Sequence, residues 1–141
     1  MGKTRSGYGG ARPNVDPLLK FIKNKEFELA LEFLNLGKKW SAGNPNKGWS
    51  DEIYWLNVLQ IKKHQKKDLT QSEKSRLKNL ASSTNNLYKI GANILLENFE
   101  IAEKQLKIEL NKNNIQHMND WPIIDFIRDK INDPSLKRKI N

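Results

Sequence analysis

The most regular apolar pattern in the chain lies between residues 87 and 110. Three columns of apolar residues repeat there every seven positions: Leu87, Ile94, Ile101 and Ile108; Tyr88, Leu95 and Ala102; and Ala92, Phe99 and Leu106. A seven-residue repeat keeps side chains on one side of an α-helix, so the pattern predicts one long apolar helix over 87–110. The apolar arc is wider than a coiled-coil seam. Such a helix is either the core of its own domain or a self-association surface, which would use Leu87, Ile94, Leu95, Phe99, Ile101, Leu106 and Ile108.

A short helix pair is predicted near the beginning of the chain. Asp16-Pro17 is typical of a helix start, with an N-cap followed by proline at the first helical position. Asn24 is a candidate cap for a second helix, on which apolar residues recur at spacings of three and four up to Leu34. Gly37 is a candidate for the residue that ends it. A loop is expected over 41–50, which contains two Gly, a Pro and two Asn.

Two basic helices are predicted in the middle of the chain. Ser50 is a suitable N-cap for a helix running to about Lys67. The segment from Thr70 to Glu73 matches a capping box, in which a hydroxyl and a carboxylate each accept a hydrogen bond from a free N–H group at the helix start. The sequence SSTNN at 82–86 favours a break after that helix.

The C-terminal part, 120–140, is expected to form short helices, and no segment has the alternation of a β-strand. The fold class predicted is therefore all-α. The expected organisation is a flexible basic arm over 1–15 followed by a single helical domain over 16–141.

The composition argues against several classes of function. The chain has no cysteine and only two histidines, so disulfides, thiolate catalysis and a His- or Cys-rich metal site are not expected. No carboxylate pair or nucleophile motif stands out, so we expect neither an enzyme nor a bound cofactor. Apolar runs are too short for a membrane span, and the N-terminus lacks the apolar stretch of a signal peptide. These features predict a cytoplasmic protein without a membrane partner.

The positive charge is concentrated in two places. The whole chain has a formal net charge of +9, with 25 basic against 16 acidic residues. Residues 1–25 hold six bases against one acid, and residues 38–78 hold ten bases against four acids. This uneven distribution favours a polyanionic partner such as nucleic acid. An ordinary solvated surface is the alternative.

Lysine and arginine neutralise phosphates and release condensed counterions, so the clustered bases are candidate DNA-binding residues. On one continuous helix, the pairs 62/66 and 63/67 would form two adjacent cationic rows. The candidate DNA-binding residues are Arg5, Arg12, Lys62, Lys63, Lys66, Lys67, Lys74, Arg76 and Lys78.

Trp40 and Trp49 flank the glycine- and asparagine-rich loop. Aromatic side chains beside basic residues can stack on the bases of single strands, so a single-strand or RNA binder is one further hypothesis. Anchoring of the loop onto the core is the structural alternative.

The N-terminal arm contains Gly9-Gly10-Ala11-Arg12-Pro13. This segment resembles the opening of many bacteriophage terminase small subunits, although Asn14 is followed by Val15-Asp16-Pro17 instead of a second arginine. The resemblance implies a small, helical, non-enzymatic protein that binds double-stranded viral DNA and forms a ring. It also implies a large terminase subunit, an ATPase–nuclease, as partner. The alternative hypothesis is a helical protein-interaction or virion structural module without intrinsic DNA binding.

Overall fold

The computed structural model describes residues 16–44, 50–111 and 121–140. Every regular element in these segments is helical, which confirms the all-α prediction. The α-helices are α1 (Asp16–Lys23), α2 (Phe27–Gly43), α3 (Asp51–His64), α4 (Gln71–Ala81), α5 (Asn86–Leu95), α6 (Phe99–Leu110) and α7 (Pro134–Lys139). Two 3-10 helices, Pro122–Phe126 and Arg128–Lys130, lie between α6 and α7. None of these helices combines the length and the apolar composition that a membrane crossing requires.

The chain divides into two compact units, Met1–Gln65 and Lys66–Asn141. The prediction of a single domain stays a prediction. The predicted arm over 1–15 lies outside the described residues, together with Arg5 and Arg12.

In the first unit, α1 and α3 each pack against α2. Leu18 and Ile22 from α1, Leu34 from α2 and Ile61 from α3 belong to one buried apolar cluster. The helix pair α1–α2 is thus as predicted, but its junction is not the Asn24 cap. Lys25 adopts a φ of 61°, and the amide of Glu26 donates to the carbonyl oxygen of Phe21 at 2.8 Å. This left-handed residue with a six-to-one hydrogen bond is a Schellman ending, so α2 starts only at Phe27.

The expected end of α2 at Gly37 is wrong. The helix continues to Gly43, and Gly37 lies on its buried face with Ala30 and Leu34. A glycine in a helix interior costs about 1 kcal/mol relative to alanine. This face is buried at Ala30, Leu34 and Gly37, and the Ser41 hydroxyl donates to the carbonyl oxygen of Gly37 at 2.7 Å, so the helix passes through the glycine.

The start of α3 is as predicted, since the Ser50 hydroxyl oxygen accepts a hydrogen bond from the amide of Ile53 at 3.2 Å. Its end is earlier than predicted. α3 stops at His64, and Lys66 adopts a φ of 61° that an α-helix does not allow.

In the second unit, the prediction of one long helix over 87–110 is wrong. α5 ends at Leu95 and α6 begins at Phe99. Between them Glu97 has a φ of 66°, and the amide of Asn98 donates to the carbonyl oxygen of Asn93 at 2.8 Å. This is a second Schellman ending, again built on a residue other than glycine.

The turn lets the two apolar halves of the segment pack on each other. A straight helix of that length would extend for about 36 Å, and its halves could not meet. With the turn, α5 and α6 run antiparallel: the Asn86 side chain donates to Glu109 at 2.8 Å, and that of Asn93 to Gln105 at 3.1 Å. The seven-residue repeat is therefore divided between two helices with different surroundings.

The C-terminal segment is attached to α6 by polar contacts. Lys107 Nζ lies 2.8 Å from Asp133 Oδ2, and the amide of Asn132 donates to Glu103 Oε1 at 2.7 Å. The hydrogen bond from Lys107 lowers the pKa of Asp133, and the same contact raises the pKa of Lys107. Asp133 also caps α7, since its Oδ1 accepts from the amide of Leu136 at 3.0 Å.

Candidate nucleic-acid interface

The orientation of α4 is set by its first turn and its two buried leucines. Thr70 Oγ1 accepts from the amide of Glu73 at 3.1 Å, and Glu73 Oε1 accepts from the amide of Thr70 at 2.7 Å. This is the predicted capping box, which starts the helix at a defined residue. Leu77 and Leu80 are buried, so the opposite side of α4 is turned outward.

The outward side of α4 is polar and positively charged. Because consecutive residues are about 100° apart around a helix, Lys74 and Lys78 lie at one margin of this surface and Arg76 lies at the other. Short hydrogen-bonding side chains occupy the middle. The exposed residues of α4 are Gln71, Ser72, Lys74, Ser75, Arg76, Lys78 and Asn79, and we call them the α4 surface.

The charges of Lys74 and Lys78 on this surface are available to a ligand. Neither Lys74 nor Lys78 forms an ion pair with another residue of the described segments. Glu73 is the one acid of α4, and its carboxylate is engaged in the capping box. Lys66 and Lys67 precede the helix, are exposed and likewise have no ion pair among the described residues. From 66 to 78 the second unit thus holds five bases against two acids.

The predicted cationic rows 62/66 and 63/67 are wrong. Lys62 and Lys63 lie in the last turn of α3, whereas Lys66 and Lys67 follow the end of that helix. Lys62 and Lys63 are also half-buried and engaged in contacts of their own. Of the predicted phosphate-binding residues, the second unit holds Lys66, Lys67, Lys74, Arg76 and Lys78, and the first unit holds Lys62 and Lys63.

The residues predicted for self-association do not form one surface. Ile94, Leu95 and Leu106 are buried in the structure, and Phe99 is half-buried. Their burial follows from the turn at Glu97, because each helix directs one side into the core. Leu87, Ile101 and Ile108 remain exposed.

The first unit has an aromatic cluster that the sequence did not indicate. Lys38 Nζ lies 4.4 Å from the centre of the Tyr54 ring and 5.8 Å from that of the Trp55 ring. Tyr54 is held in place by a 3.1 Å hydrogen bond to Asn35. Trp40, at 40% exposure, lies on the same helix as Lys38, and Trp49 lies outside the described residues. Lys38 and Tyr54 are distant in sequence, so only the packing of α2 against α3 brings them together.

The polar residues in the middle of the α4 surface were also missed. Their signal was present in the sequence: the capping box starts the helix, and Leu77 with Leu80 marks its buried side. Placing the remaining positions around the helix would have identified Gln71, Ser75 and Asn79 as outward-facing.

The described segments contain no group of three or more His, Asp or Glu side chains arranged to bind a metal ion. Comparisons with protein-family models, with curated proteins and with solved structures found no match for this chain.

Proposed function

We propose that this chain is a non-enzymatic DNA-packaging adaptor of the small-terminase type, acting in the cytoplasm of a host cell. In this proposal it binds duplex DNA through its basic residues, associates into a ring and regulates a large ATPase–nuclease subunit. The α4 surface is the observation that carries the DNA-binding part. The Gly9-Gly10-Ala11-Arg12-Pro13 segment supports the packaging part through its resemblance to small terminase subunits.

The dimensions of α4 suit the major groove. That groove is about 12 Å wide, and an α-helix with its side chains is about 10–12 Å across. Cations at the two margins would face the phosphates that border the groove, and amide and hydroxyl groups between them would face the base edges. Gln71 and Asn79 carry the amide type that pairs with adenine, and Ser72 and Ser75 can donate or accept.

The proposal predicts salt-dependent binding to duplex DNA. Sequence-independent binding of this kind has a Kd on the order of 10⁻⁴ to 10⁻⁶ M at physiological salt. Fluorescence anisotropy of a labelled short duplex, titrated with the full chain at several salt concentrations, measures it. Undetectable binding at low salt would contradict the DNA-binding proposal and favour the protein-interaction module.

Two charge-reversal variants, one test and one control, locate the DNA-binding surface. The test variant changes Lys66, Lys67, Lys74 and Lys78 to Glu, and we expect it to lose DNA binding. The control variant changes four exposed or half-exposed lysines elsewhere to Glu and has the same net charge; these are Lys20, Lys89, Lys130 and Lys137. Equal loss in both variants would mean that overall charge, and not this surface, carries the binding.

Single-strand binding is a second candidate function, favoured by the 40% exposure of Trp40. Stacking of a base on an exposed Trp40 would quench tryptophan fluorescence. We therefore expect quenching by single-stranded oligonucleotides, reduced in Trp40→Leu, if the first unit binds nucleic acid this way. Quenching by duplex alone would argue against this candidate.

A further inference from the structure

The outer side of α2 carries an unpartnered apolar stripe. Leu29 is 44% exposed and Leu36 is 62% exposed, and they lie seven residues apart on the same side of the helix. Trp40 extends the stripe by one further turn. Glu32 lies between the two leucines in sequence, three positions after Leu29, and is exposed at the margin of the stripe. We call Leu29, Glu32 and Leu36 the α2 stripe.

The outer side of α6 repeats this arrangement in the second unit. Ile101 is 51% exposed and Ile108 is 58% exposed, again seven residues apart. Lys104 is exposed and stands three positions after Ile101, as Glu32 stands three positions after Leu29. We call Ile101, Lys104 and Ile108 the α6 stripe.

The two stripes match in geometry and differ in the sign of their charge. In each, two branched aliphatic residues are separated by about 10.5 Å along the helix axis. The charged residue lies at the same angular position relative to them in both helices, because the spacing is the same. Neither Glu32 nor Lys104 forms an ion pair with another residue in the described parts of the chain. Each stripe therefore presents an apolar surface beside a charged side chain that has no ion pair in the described parts of the chain.

We propose that the α2 stripe of one copy of this chain packs against the α6 stripe of a second copy, with the two helices antiparallel. When two helices pack antiparallel through these apolar stripes, the charged residues at the margins of the two stripes lie on the same side of the contact. Glu32 of one copy then lies beside Lys104 of the next, and the leucines face the isoleucines. Parallel packing would put the two charges on opposite sides of the contact.

Charge also argues against antiparallel packing of two identical stripes. Two α2 stripes packed antiparallel would bring Glu32 beside Glu32, and two α6 stripes would bring Lys104 beside Lys104. Like charges placed side by side across a contact are destabilising. Packing an α2 stripe against an α6 stripe avoids both of these like-charge contacts. A second copy of the chain is the partner that supplies the matching stripe.

A contact between different surfaces of identical chains is heterologous. When two copies associate, one keeps a free α6 stripe and the other keeps a free α2 stripe, so assembly continues until a ring closes or a filament grows. The inference rests on the self-association that the proposed function requires and names its surfaces, but it does not depend on DNA binding.

Complementation between two variants tests the contact. Leu36→Glu removes the α2 stripe and Ile108→Glu removes the α6 stripe; both positions are exposed, so the fold should be retained, which circular dichroism checks. We expect the wild type to form assemblies larger than a dimer by light scattering over a series of concentrations. Each variant alone should be monomeric, whereas an equal mixture should form a one-to-one dimer, because one intact stripe remains on each partner. Lys20→Glu and Lys137→Glu, at exposed positions on α1 and α7, are controls that should assemble as the wild type does.

Several results would overturn the proposal. A monomeric wild type would do so, and so would a variant that still assembles alone, since that indicates a symmetric contact through the remaining stripe. A mixture that stays monomeric would also refute it.

A charge exchange tests the ionic part. Glu32→Lys should weaken assembly because it places two cations together, and Glu32→Lys combined with Lys104→Glu in one chain should restore it. A double variant no better than the single one would contradict the antiparallel contact. DNA binding measured on the same samples reports separately on the proposed function.

Discussion

Neutralising Lys74 and Lys78 is the most informative test of the α4 surface. Both lysines are exposed, neither is engaged in an ion pair among the described residues, and they lie one turn apart at one margin of α4. Glutamine keeps much of the side-chain length and the helix propensity while removing the charge. The double variant Lys74→Gln/Lys78→Gln should therefore fold as the wild type does and lack two phosphate contacts.

The expected magnitude follows from counterion release. For duplex DNA, the slope of log K against log salt changes by about 0.9 for each phosphate contact, so two lost contacts flatten it by about 1.8. The affinity should then fall about 200-fold at 50 mM salt but only about 20-fold at 200 mM salt. Anisotropy titrations with one labelled duplex at four or more salt concentrations measure the slope directly.

The matched control is Lys130→Gln/Lys137→Gln. It lowers the formal net charge of +9 by the same amount and changes exposed lysines outside α4. We expect its slope to equal that of the wild type. An unchanged slope in the α4 variant, or an equal change in the control, would refute the assignment of phosphate contacts to this surface.

Three further predictions concern stability. Ile94→Ala should lower the free energy of unfolding by about 2–5 kcal/mol, since Ile94 is fully buried, while Ile108→Ala should have little effect because Ile108 is 58% exposed. Denaturant titration measures both free energies. Equal losses in the two variants would favour the single long helix. Glu97→Gly should raise the free energy of unfolding by about 0.5–1 kcal/mol, because the left-handed conformation strains any residue with a Cβ atom; a destabilised variant would contradict the Schellman ending. Asp133→Asn should destabilise the attachment of the C-terminal segment at neutral pH. The folded-state pKa of Asp133 is lowered, so its contribution is present above the ordinary pKa of the carboxyl and is lost as the pH falls through the folded value. Lys107, with its pKa raised, contributes below its ordinary pKa and loses that contribution only at strongly alkaline pH. Thermal melts from neutral to acidic pH should converge for wild type and Asp133→Asn, and a constant difference between them would exclude this origin.

The all-α class and several helix boundaries were readable from the sequence. Ser50, Thr70 with Glu73, and the break at 82–86 all appear as predicted. These features depend on hydrogen bonds between a side chain and backbone groups within three or four residues. Local interactions of this kind require no information about the rest of the chain.

The turn at Glu97 depends on contacts that no local pattern encodes. The repeat continues through it without interruption, and the left-handed residue is a glutamate instead of the usual glycine. The conformation is retained because packing α5 against α6 buries Ile94, Leu95 and Leu106 together, which outweighs the cost of one strained residue.

The sequence by itself therefore determined that the chain is helical, where most helices begin, and where its positive charge is concentrated. The tertiary structure decided which side of each helix is buried. It ended α3 at His64, placed Ile94 inside and Ile108 outside, and left the α2 and α6 stripes exposed. Burial depends on which elements pack against a helix, and that choice is made by the whole chain.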